Sequence, residues 1–155
     1  MSKPTELRSA KHQYYIKLRM KELQQKIEDL EASYDDLARY CLYLEYQQQA
    51  NNLNIQHAEA TFRVADRMRI TGTVTMTDHD LFGERGARIF EQANNRFHLW
   101  KEAERVESGT ASKIRRAYRG LDDLECDLAA VRIELVELET VLKELERTDA
   151  MDIDR

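Results

Sequence analysis

The sequence predicts an all-α protein, a long antiparallel two-helix coiled-coil hairpin that is oligomeric or packed in a larger helical assembly. Three observations predict it. Leu23, Leu30, Leu37 and Leu44 recur every seventh residue, and Ile16, Met20, Ile27, Tyr34 and Cys41 fill the alternating three- and four-residue steps. A second run, Ala117, Leu121, Leu124, Leu128, Val131, Leu135, Leu138, Leu142 and Leu145, keeps the same rule. Apolar residues at this spacing form one stripe on a helix, the seam of a coiled coil. The third observation is composition: 5 Gly and 1 Pro among 155 residues, with 34% charged. Few breakers with many charges suit long helices.

The first helix is expected over 5–70. Pro4 is tolerated in a first helical turn. The seam continues past Leu44 through Gln48, Asn51, Ile55, Ala58, Phe62 and Ala65, so polar residues weaken the stripe without shifting its phase. A connecting tip is expected over 71–86, where Gly72, Gly83 and Gly86 punctuate the chain. Thr73 to Thr77 has β-branched character, and Thr77 or Asp78 can cap a short turn through Leu81 and Phe82. The second helix is expected over 87–147, followed by an acidic tail, 148–155, that frays. The whole reads as one helical-hairpin domain. Each helix would span roughly 90 to 100 Å at 1.5 Å per residue.

With a fold-back near residue 78, facing residue numbers add to about 156. Charge agrees with that pairing. Residues 1–26 hold seven Lys/Arg and two Asp/Glu (net +5), 27–60 hold one and seven (net −6), 61–119 hold twelve and eight (net +4), and 120–155 hold four and twelve (net −8). Folding back sets each block against its opposite, whereas a parallel dimer sets each against itself. The polar stretch 47–52 is expected opposite 104–108, where the second seam is also polar, so weak points align. Cys41 and Cys126 fall about 16 Å apart along the axis, too far for a disulfide. Cys41 belongs to the seam and Cys126 faces outward, and two unpaired thiols fit a reducing compartment.

The formal charge of −5 argues against a general nucleic-acid binder. No apolar stretch is long enough to span a bilayer, and the N-terminus has no apolar signal core, so no membrane partner and a cytoplasmic site, or a virion or other assembly built in the cytosol, are expected. No nucleophile-and-base arrangement, P-loop, dinucleotide fingerprint or CxxC is present, so no catalytic residue, cofactor or metal is expected. Asp78, His79, Asp80 and Glu84 match no closed metal site, and capping explains them more simply. His57 and His98 come near register without carboxylate partners.

Two surfaces are candidate partner-binding sites. Residues 37–46 are apolar nearly all round, and Tyr40, Leu42, Tyr43 and Tyr46 exceed what one partner helix covers. Ile133, Val136 and Val141 give the second helix the same excess. At the tip, Val74, Met76, Leu81 and Phe82 suit either a docking site or a mini-core closing on Ile89 and Phe90. Phe97 and Trp100 are core anchors expected against Ile55 and Ala58. Lys113, Arg115, Arg116 and Arg119, with tyrosines near, form the best nucleic-acid candidate, set against pairing of those cations with Asp35, Asp36, Asp122 and Asp123. The basic 1–26 segment before the leucine repeat lacks the dense Arg/Lys pattern of a basic zipper.

The expected function is therefore non-enzymatic: a rigid spacer or adaptor that binds other proteins, or itself as a homo-oligomer, through its tip and apolar flank. A helical chaperone or secretion-system stalk or adaptor is the first alternative, and a helical nucleic-acid binder the second.

Overall fold

A computed structural model describes residues 4–153, and over them the chain is helical almost throughout. The first helix, α1, covers Pro4–Thr75. A single turn, α2, covers Asp78–Leu81. The second long helix, α3, covers Glu84–Ile153. No strand occurs among the described residues, and α1 and α3 pack against each other.

Burial reveals why. From Ser9 to Gly72 every position of α1 on an alternation of three and four residues is half-buried or buried. The same alternation runs on α3 from Ile89 to Asp149. A stripe at that spacing stays on one side of a helix, so each long helix can bury one face only.

The chain divides into two compact units, Met1–Arg39 with Tyr118–Arg155, and Tyr40–Ala117. In the first unit, partners ascend along α1 as they descend along α3. Ser9 and Gln13 meet Asp149, Arg19 meets Glu134, and Tyr34 meets Glu125. The helices are therefore antiparallel. The buried positions of this unit are branched aliphatics: Ile16, Leu23, Leu121, Leu128 and Val131. Each such side chain contributes about 1.5–3 kcal/mol when fully buried.

The second unit is also antiparallel, with Gln48 bonded to Glu107 and Asn51 to Thr110. Its buried positions are smaller. They include Cys41, Leu44, Ala65, Ala93 and Ala117, and Asn51 at 7% exposure. Aromatic rings supply part of what these residues lack. Phe62 stacks on Trp100 with ring centroids 5.5 Å apart and meets Phe97 edge-on at 5.6 Å. Such pairs add about 0.5–1.5 kcal/mol each beyond area burial.

The turn between the long helices differs from expectation. α1 passes Ile70 and Gly72 and ends at Thr75. The hydroxyls of Thr73 and Thr75 bond back to the carbonyls of Arg69 and Thr71, so the β-branched stretch is satisfied inside the helix. Gly72 is a seam residue, not a break. A β-carbon built on it would lie 3.4 Å from Ile89 Cδ1 and from Met76 Sδ. Thr77 caps α2, its hydroxyl accepting the Asp80 amide at 3.3 Å. α3 starts at Glu84, three residues earlier than expected. Gly86 has no room for a methyl group, which would collide with the Leu81 carbonyl. Glycine here permits close approach of α2 to α3.

These boundaries move the centre of the turn a little later along the chain. Phe97 and Trp100 consequently face Phe62, about one helical turn beyond the expected Ile55 and Ala58. At the other end, where the tail 148–155 was expected, α3 continues through 148–153, and 154–155 lie outside the described residues. Asp149 ties this end to α1, accepting from Ser9 Oγ at 3.0 Å and Gln13 Nε2 at 2.5 Å.

Candidate functional site

The tyrosine flank occupies one stretch of α1 in the second unit. Cys41 and Leu44 fill the seam there, which turns the intervening residues away from α3. Tyr40, Leu42 and Tyr43 are exposed, and Tyr46 is 71% exposed. Tyr40 and Tyr43 lie one turn apart with rings stacked at 6.4 Å. Gln47 Nε2 donates to the Tyr43 hydroxyl at 3.2 Å. Leu53, which sequence reasoning did not single out, extends the apolar surface along α1. It stands seven residues from Tyr46, a spacing that returns to the same side of a helix.

The tip residues split between the two roles expected of them. Val74 and Phe82 project, at 79% and 85% exposure. Met76 and Leu81 are half-buried. Met76 and Ile89 border a groove of 430 Å³ that also takes in Val64 and Met68. Phe90, expected to close the mini-core, remains exposed. The groove was not legible beforehand, because Val64 and Met68 lie outside the seam and read as isolated apolar residues.

Arg67 and Arg85 also line that groove. Neighbouring arginines are engaged on their own helices: Arg63 with Glu59, Arg69 with Asp66 and Arg88 with Glu84. Among the described residues, neither Arg67 nor Arg85 has an ion pair.

Lys113, Arg115, Arg116 and Arg119 are all exposed. Arg115 donates to Ser112 Oγ at 3.1 Å. The expected pairing of these four cations with aspartates is absent among the described residues. Asp36 is instead 3.9 Å from Arg39.

Two ion pairs join α1 to α3 in the first unit, Arg19 to Glu134 at 3.1 Å and Arg132 to Glu31 at 2.8 Å. All four side chains are about half exposed. Pairs of that kind contribute about 0–1 kcal/mol, so packing outweighs charge in fixing the register. The bond to Glu125 raises the Tyr34 phenol above its usual pKa, because losing its proton would set two negative charges together.

In the second unit the seam carries a polar section. Gln48 Nε2 donates to Glu107 Oε1 at 2.9 Å, and Asn51 Nδ2 donates to Thr110 Oγ1 at 3.0 Å. Glu107 Oε2 and Trp100 Nε1 are buried without a hydrogen-bond partner. A β-carbon built on nearby Gly109 would touch nothing within 4 Å.

Neither thiol is in a disulfide. Cys41 is buried and Cys126 exposed. Burial raises the Cys41 pKa, with Glu45 adding to the effect. Among the described residues no His/Cys/Asp/Glu cluster is placed to hold a metal ion, and no helix is long and apolar enough to cross a membrane. No protein-family model, curated protein or solved structure matches the chain significantly.

Proposed function

We propose that this chain is a non-enzymatic assembly protein, a spacer or adaptor that binds other proteins through the α1–α2–α3 turn and the tyrosine flank. The observation that carries the reading is the exposure of Tyr46, Val74 and Phe82 on a molecule whose buried residues form only a narrow stripe. Large apolar groups held in water are costly, and contiguous ones mark contact surfaces.

The long helices in this reading wind as a left-handed coiled coil. A burial repeat averaging 3.5 residues falls short of the 3.6 of a straight helix, and supercoiling keeps the stripe in contact. Function then lies in geometry. Helices place the contact residues, and packing, more than charge, holds them in register.

Co-purification with mass spectrometry, followed by reconstitution and light scattering, tests the proposal. A complex of defined stoichiometry is expected, weakened at least tenfold by Phe82→Ser or Tyr46→Ser. Complexes indifferent to both substitutions would contradict the reading. So would binding of single-stranded RNA that collapses with salt and requires Lys113 and Arg116.

A further inference from the structure

α3 carries a second apolar surface, on the side away from its seam in the first unit. Cys126, Ala129, Ala130, Ile133 and Val136 are all exposed. Their spacings of three and four residues place them on one helix face. The outward face of a paired helix is ordinarily polar. Here carboxylates stand only at its ends, Asp122 and Asp123 at one, with Arg119 a turn before them, and Glu137 and Glu144 at the other, all exposed. None of the four carboxylates has an ion pair among the described residues. The small residues in the middle let another surface approach closely.

Charge decides what kind of surface that is. Laid antiparallel on its own copy, this face would bring Asp122 and Asp123 against Glu137. Laid parallel, each carboxylate would meet itself. Both arrangements crowd carboxylates together, which favours a partner that is apolar with positive edges. The chain itself offers such a surface. The groove lined by Val64, Met68, Met76 and Ile89 is lined by Arg67 and Arg85 as well, and no carboxylate is among its lining residues.

We propose that the groove at the α1–α2–α3 turn of one copy takes the Ile133–Val136 face of a second copy, with Arg67 and Arg85 set against its terminal carboxylates. Ile133 and Val136 meet the groove's apolar side chains. The contact joins two different surfaces, so it forms either twice, reciprocally, in a two-fold dimer or once per copy in a growing series. This inference rests on the assembly reading above and names one partner for the turn.

Sedimentation of the full-length chain over a range of concentrations at low salt tests it. The wild type is expected to gain mass with concentration. Arg67→Glu with Arg85→Glu, and separately Asp123→Lys with Glu137→Lys, should each weaken association at least tenfold. An equimolar mixture of the two variants should recover it, since each then offers the other a complementary surface. Recovery also establishes that both variants fold. Association that ignores both charge reversals would overturn the groove assignment and leave the assembly reading standing. A mixture that fails to recover, or a wild type that stays monomeric throughout, would overturn the inference as well. The assembly reading is judged separately, by the Phe82 and Tyr46 variants in the reconstituted complex.

Discussion

Leu23 is the side chain whose loss should be felt most, at 1% exposure. Leu23→Ala removes apolar contact and leaves a cavity that the paired helices close only in part. The expected loss is about 2–5 kcal/mol, read as a fall in the urea midpoint. The thiols make a second prediction. A thiol reagent should modify Cys126 quickly and Cys41 slowly, because burial holds Cys41 protonated and covered. Equal rates would mean that the Cys41 seam is open. Tyr34 gives a pH dependence. Its folded-state pKa lies above the unfolded value of about 10, so its contribution is fully present below pH 10. It is lost as pH rises through the folded value. Stability should therefore decline more steeply above pH 10 in the wild type than in Tyr34→Phe, and Glu125→Gln should flatten the decline similarly.

The two long helices are not uniform along their length. Branched aliphatics fill the seam of the first unit, whereas the second relies on Ala65, Ala93 and Ala117, a polar section and a few rings. Each buried polar atom left without a partner costs about 1–3 kcal/mol, and Glu107 Oε2 and Trp100 Nε1 both lie in this weaker part. Amide hydrogen exchange should accordingly be faster around Gln48, Asn51 and Gly109 than around Leu30. Equal protection would show that the polar bonds compensate for the missing apolar area. The stripe itself was readable in advance, because Ile16 fixes a phase that burial keeps as far as Met76. The polar stretch 47–52 was placed within a few residues of its true partners, Glu107 and Thr110. The turn was read less well. Glycine commonly ends a helix, yet Gly72 lies buried inside α1 and facing Ile89, a placement set by tertiary contact. The anchoring of Asp149 by Ser9 and Gln13 is equally invisible to local pattern.

For the molecule as a whole, the exposed apolar surface matters most. Tyr40, Leu42, Tyr43 and Tyr46 were legible as an excess over what one seam requires, and Val74 and Phe82 as apolar residues in a connection. The groove beside them was not, because it is assembled from both long helices. All these surfaces depend on one chain folding back on itself, since a swapped or parallel arrangement would dismantle the turn and repair the seams differently. Nitroxide labels at Asp29→Cys and Cys126, in a Cys41→Ala background diluted with unlabelled protein, test that fold-back within a single molecule. Helices in contact lie about 8–10 Å apart, so a short separation set mainly by the label arms is expected. A separation of many tens of ångströms within one chain would contradict the account.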